Sequence, residues 1–187
     1  GRIMADPSPR EAVRTYLGMI DDSVVQPIAT RQDRRGNGSL RFTDFWFEDS
    51  KGTRTNQVIV GEPVTFCAAY KGIARGRIQI GFNVWEEPGD PLIELYTEHA
   101  GQQFLNAPVE GVVTCAVDDW PLNPGRYYGN IFSTMNGEIA DWIEGAFHLD
   151  VVEGDFHGTG KMSDTARFLV RQRWEIQNGA VLAAESA

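Results

Sequence analysis

The chain has 187 residues, 42% apolar and 11% aromatic, with a formal net charge of -9. That length supports one sizeable core with a short appendage rather than two full domains. The acidic balance excludes nucleic acid and anionic membrane surfaces as partners, because no basic stripe exists to replace phosphate counterions. No window approaches the ~18 apolar residues of a spanning helix, and no charged-then-apolar signal pattern opens the chain.

In chain order, residues 7–20 carry the one helical pattern. Ser8 is placed as N-cap, Pro9 at the first helical position and Glu11 as the capping-box acid. Val13, Leu17 and Ile20 then repeat at helical spacing with Tyr16 alongside. Residues 30–39 are polar, charged and glycine-containing, and read as a linker.

From Leu40 the apolar period becomes two, and strands are expected at 40–48, 63–70, 77–86, 92–99, 111–118, 126–134, 142–152 and 166–176. Turn signals separate them: Ser50-Lys51-Gly52, Pro88 through Pro91, Pro121 through Gly125, and Asn136-Gly137. Short alternating strands at this spacing predict an all-β, immunoglobulin-like antiparallel sandwich of about eight strands over 40–176. Residues 177–187 read as a frayed tail.

Cys67 lies between Phe66 and Ala68, whereas Cys115 keeps phase with Val113 and Val117. The two thiols are therefore expected on different sides of their strands, reduced rather than bridged.

Three strands have an unusual second face. On 77–86, Ile78, Ile80, Phe82 and Val84 face inward, and Arg77, Gln79, Gly81, Asn83 and Trp85 face outward. On 126–134, Tyr127 and Ile131 are core while Tyr128, Asn130 and Phe132 face away. On 142–152, Ile143, Phe147, Leu149 and Val151 face in and Trp142, Glu144 and His148 face out. A sandwich face that met only water would carry Lys, Glu and Thr. Sugar rings pack their C–H sides on aromatic rings, and their hydroxyl rims need amide or carboxylate partners. Trp85, Tyr128 and Trp142 are thus candidate stacking surfaces, and Gln79, Asn83, Asn130 and Glu144 candidate hydrogen-bonding groups. The alternative reading of the same aromatic face is a dimer seam.

Other chemistries find less support. Gly154 through Met162 has the look of a phosphate loop, but its spacing is one residue too long and Met162 replaces the Mg²⁺-binding hydroxyl. His99, His148 and His157 are scattered, so no zinc site is expected and no cofactor is implied. Asp118-Asp119 and Asp141/Glu144 read as turn formers and solubilising groups, with Ca²⁺ ligation the alternative. Ser133 lacks a nucleophile elbow. Glu144 with Glu94 or Asp119 is the pair that a glycan-cleaving enzyme would need, and that reading stands as the enzymatic alternative.

Gly61-Glu62-Pro63-Val64, Gly81-Phe82-Asn83-Val84, Pro124-Gly125-Arg126-Tyr127 and Phe147-His148-Leu149 resemble the C-terminal domain of Wzt-type subunits, the ATP-binding subunits of ABC transporters that export O-antigen polysaccharide. Pro9 through Tyr16 resembles the last helix of the nucleotide-binding domain in such subunits, and the resemblance covers roughly residues 8–176. It implies that residues 1–39 are the tail of a nucleotide-binding domain this chain lacks. It further implies a non-catalytic, cytoplasmic domain that recognises the non-reducing end of the finished glycan and couples chain completion to export. The implied partners are the O-antigen polysaccharide, the nucleotide-binding and transmembrane parts of the transporter, and a second copy through exchange of strand 166–176.

Overall fold

A computed structural model describes residues 26–87 and 90–176. The expected helix at 7–20, the Pro88-Gly89 turn and the tail at 177–187 lie outside the described residues.

Among the described residues, a 3₁₀ turn, Ile28–Thr30, precedes the strands. These are β1 (Arg34–Arg35), β2 (Leu40–Glu48), β3 (Arg54–Thr55), β4 (Gln57–Ile59), β5 (Val64–Gly72), β6 (Gly76–Trp85), β7 (Ile93–Tyr96), β8 (Phe104–Ala107), β9 (Glu110–Val117), β10 (Gly125–Met135) and β11 (Glu138–Val152). The larger sheet has the order β1-β11-β10-β6-β7, with β8 also on β6 and β4 running parallel to the end of β11. The smaller sheet has the order β3-β2-β5-β9. The expected two-sheet sandwich forms.

The β10–β11 hairpin is the clearest case of sequence dictating structure. Asn136 and Gly137 both take positive φ, 52° and 89°. That pair suits a two-residue hairpin turn whose twist matches its strands. Inward residues then fill the space between the sheets. Leu40, Phe42, Phe66, Ile80, Ile131, Ile143 and Leu149 are all buried. Phe45 stacks on Phe147 at 4.5 Å and Phe66 on Phe82 at 5.7 Å, which ties the two sheets through their rings.

One edge of the sandwich is closed by charge. Asp141 is 0% exposed. Its carboxylate accepts from Arg34 Nε at 2.9 Å, from Arg41 Nη1 at 2.8 Å and from the Phe42 backbone N–H at 2.9 Å, with a further contact to Arg34 Nη2. Asp141 lies on β11 and its partners on β1 and β2, so one carboxylate bolts the two sheets together. This corrects the reading of Asp141 as a turn former or Ca²⁺ ligand. Asp119 is likewise held by Arg171.

Two expected strands differ. The 92–99 strand shortens to Ile93–Tyr96, because Thr97 and the residues after it turn back toward β8. Residues 166–176 form no strand of either sheet and run instead beside 121–123, through an antiparallel bridge between Leu122 and Phe168. The Asn123 N–H donating to the Arg167 carbonyl at 3.2 Å and the Leu169 N–H donating to the Pro121 carbonyl at 2.8 Å flank that bridge. Leu169 alone in this segment is buried, and Arg171 anchors it by donating to the Phe156 carbonyl at 3.1 Å. Among the described residues, apolar alternation there meets no strand of either sheet. Cys67 and Cys115 are free thiols on neighbouring strands and opposite faces, Cys67 opposite Thr114 and Cys115 opposite Phe66.

Removing the Asp141 charge strands Arg34 in a buried site. Asp141→Ala is therefore expected to cost about 3–5 kcal/mol, read as a lower urea midpoint. An unchanged midpoint would remove the clamp from the account.

Candidate functional site

The outer face of the larger sheet gathers the predicted side chains in rows across the strands. Register places Tyr96, Gly81, Phe132, Trp142 and Arg35 side by side on five neighbouring strands. The next row holds Glu94, Asn83 and Asn130. Beyond it lie Trp85, Tyr128 and His148. Gln79 and Thr134 border the first row on its other side, with Thr134 Oγ1 donating to Gln79 Oε1 at 3.0 Å.

The result is a strip of amides between two aromatic rows. A concavity of about 250 Å³ opens there, lined by Gly81, Phe82, Asn83, Glu94, Asn130, Phe132 and Trp142. Gly81 makes it possible, since a Cβ at that position would lie 2.7 Å from the Phe132 ring. Phe132 instead lies flat over the glycine, 5.3 Å from Tyr96 and 6.2 Å from Trp142 between ring centres.

The amides are held by the backbone. Asn83 Oδ1 accepts from the Asn130 N–H at 3.2 Å, and Asn130 Oδ1 accepts from the Gly145 N–H at 2.8 Å. Each spends its carbonyl on the scaffold, which leaves the NH₂ end as the donor a ligand can meet. The Gly145 contact sits in a bulge, for Ile131 faces Ile143 while Gly129 faces Phe147. Two extra residues on β11 keep the in–out phase intact. From below, buried Arg31 donates to the Gly145 carbonyl at 3.1 Å and the Glu144 carbonyl at 2.9 Å.

Charge frames the groove. Glu144 pairs with Arg35 at 2.8 Å, and Arg35 also lies 5.4 Å over the Trp142 ring. Glu94 faces His99 at 3.8 Å on the opposite rim. Arg126 grips Asp150 at 2.7 Å and holds its carboxyl below the ordinary carboxylate range.

Five of the seven predicted site residues, Gln79, Asn83, Asn130, Trp142 and Glu144, have surface on this face. Trp85 and Tyr128 differ. They stack on each other at 5.1 Å and each is 5% exposed, so neither presents a ring to solvent. The open aromatic surface comes from Phe132, Trp142 and Tyr96. Phe132 is legible in the sequence as outward-facing and Glu94 only as a candidate acid of the enzymatic alternative, whereas Tyr96 carries no signal beyond an ordinary strand residue. Of the carboxylates of the enzymatic alternative, Glu144 and Asp119 each carry an arginine partner, and Glu94 faces His99.

A family model described as the Wzt C-terminal domain matches residues 31–162. The chain belongs to that family. The crystal structure of the C-terminal domain of Wzt superposes with a TM-score of 0.64 at 13% identity, covering 81% of this chain and 93% of that one. A Niemann-Pick type C2 protein from Japanese carpenter ant aligns at 0.44 and 9% identity, over 63% of this chain and 98% of that one. No curated protein matches in sequence. Membership in the Wzt C-terminal family is consistent with a non-catalytic, carbohydrate-binding role in O-antigen export. Among the described residues, no helix is long and apolar enough to cross a membrane.

The ion pair beneath the bulge has a pH signature. The Arg31 guanidinium beside Asp33 holds that carboxyl below its ordinary value of 3.8. A depressed carboxyl stabilises the fold above its unfolded value, and that contribution is lost as pH falls below 3.8 through the folded value. Asp33→Asn should thus unfold more easily than the parent at pH 7, with the difference closing below pH 3.8. The effect is modest because Asp33 is largely exposed. A gap that persists at the acid end would assign Asp33 a role other than pairing.

Proposed function

We propose that this Wzt C-terminal domain recognises the non-reducing terminus of an O-antigen polysaccharide in the groove between Trp142 and Glu94. The observation that carries the reading is the amide strip, Asn83 and Asn130, set between Phe132–Trp142 on one side and the Trp85–Tyr128 pair on the other. A terminal sugar lays its C–H face on Phe132 and Trp142. Its hydroxyls take hydrogen bonds from the two amide NH₂ groups and give them to Glu94, with Gln79 and Glu144 at the ends. At about 250 Å³ the groove suits a chain end rather than a long internal segment. Binding here reports a completed chain to the nucleotide-binding and transmembrane parts of the transporter, on the cytoplasmic side of the inner membrane. Trp85 and Tyr128 support the floor from within.

Assembly follows from the unsatisfied C-terminal segment. Phe168, Val170, Trp174 and Ile176 leave large apolar surfaces in solvent, Trp174 at 85% exposure. A second copy that accepts this segment as a strand would cover them. The protein is expected to sediment as a dimer, and Trp174→Glu to shift it to monomer. A parent that stays monomeric at high concentration would end this reading.

For the glycan, calorimetry against terminal fragments is the direct test. Trp142→Ala is expected to weaken binding about tenfold, and Glu94→Gln to weaken it too. Trp85→Ala should act on stability instead, at about 3–5 kcal/mol for a buried Trp. Unchanged affinity in both Trp142→Ala and Glu94→Gln would move the site elsewhere.

A further inference from the structure

The sandwich is closed on one edge and open on the other. The Asp141 clamp draws β2 and β11 together, whereas β9 and the β7–β8 edge have no strand pairing between them. Between those two edges lies a second cavity of about 480 Å³. Its walls are inward-facing by register: Leu95 opposite Phe82, Phe104 opposite Ile78, Val113 opposite Ala68 and Cys115 opposite Phe66. Residues with that phase should be sealed in a core, yet Leu95, Val113 and Cys115 are only half-buried and Phe104 is 37% exposed. Open apolar walls of this kind are stabilised by an apolar occupant.

We infer that this slot between the sheets binds an aliphatic chain carried on a neutral, hydroxylated head group, in the manner of an alkyl glycoside. Tyr96, Thr97, Gln102 and Thr114 also line the slot, with the Thr97 hydroxyl already accepting from the Ile80 N–H at 3.1 Å. Ile80, Phe82, Leu95, Phe104 and Val113, however, offer no hydrogen-bonding side chain, so a sugar ring set among those five would bury hydroxyls unpaired. Hydrocarbon carries no such penalty. The rim decides the head group. Glu94 stands at the mouth beside His99, with Glu98 nearby, on a chain of net charge -9. A free carboxylate head is disfavoured there.

Slot and groove share residues. Phe82 and Glu94 line both cavities, so one amphiphile can set its chain between the sheets and its sugar toward Asn83. The choice of head group rests on the proposed glycan reading; the hydrocarbon site does not.

Cys115 is a built-in reporter, because its thiol lines the slot while Cys67 is 1% exposed with its thiol pushed up to about 11. Burial also raises the Cys115 thiol, so iodoacetamide labelling is followed by peptide mass spectrometry at alkaline pH. Sub-micellar n-octyl β-glucoside at about ten times its dissociation constant should slow Cys115 labelling about tenfold. n-Octanol should also protect, and does so whether or not any glycan binds the groove, which separates the two sites. Octanoate should protect less than octanol, and glucose should not protect at all. Absence of protection by both octyl glucoside and octanol would overturn the slot. So would equal protection by glucose, or a thiol already shielded without ligand in proportion to dimer content, which would give the space to a second copy.

Discussion

The buried carboxylate of Asp141 sets the geometry on which the groove depends. It gathers Arg34, Arg41 and the Phe42 N–H at one point, on strands from both sheets. A lone buried charge is costly, but one that receives two guanidinium groups and a backbone donor is compensated. Because Asp141 must point inward, its neighbour Trp142 must point outward. The clamp thereby fixes the phase of β11 just before the bulge and delivers Trp142 to the row that contains Phe132. The same clamp closes one edge, so that the opposite edge, between β9 and β7–β8, carries the gap.

A second layer of support works on the other side of Trp142. The bulge at Glu144–Ala146 would expose backbone groups without partners. Asn130 supplies an acceptor to Gly145 from above, and Arg31 supplies donors to the Glu144 and Gly145 carbonyls from below. Asn130 therefore belongs to scaffold and site at once. Its carbonyl is committed and its NH₂ group is oriented as a result, which is the preorganisation a weak polar ligand needs. Gly81 contributes by absence, since only a residue without Cβ leaves room for Phe132 to lie across β6.

Much of this was legible in the sequence. Six of the long strands follow from period-two alternation, the β10–β11 turn from Asn-Gly, and the outward direction of Asn83, Asn130, Phe132 and Trp142 from phase alone. Alternation assigns a face, however, and says nothing of what covers that face. Hence Trp85 and Tyr128 read as an open platform, although they are stacked and buried. The stretch at 166–176 reads as a strand for a related reason: its apolar pattern is real, but among the described residues only Phe168 finds a bridge, to Leu122, and no strand of either sheet pairs with it. The role of Asp141 was hidden by separation, with its arginines about 100 residues away in sequence. Short strands such as β1, β3 and β4 carry too few residues for a period to register.

The central claim is that the outer face of the larger sheet receives the end of the glycan. The most direct measurement is titration of the ¹⁵N-labelled domain with a fragment from the non-reducing terminus, followed by NMR. The side-chain NH₂ signals of Asn83 and Asn130 and the indole N–H of Trp142 are expected to shift first and together. Shifts confined to the 153–167 segment, or to the Trp46–Cys67 face of the smaller sheet, would contradict it.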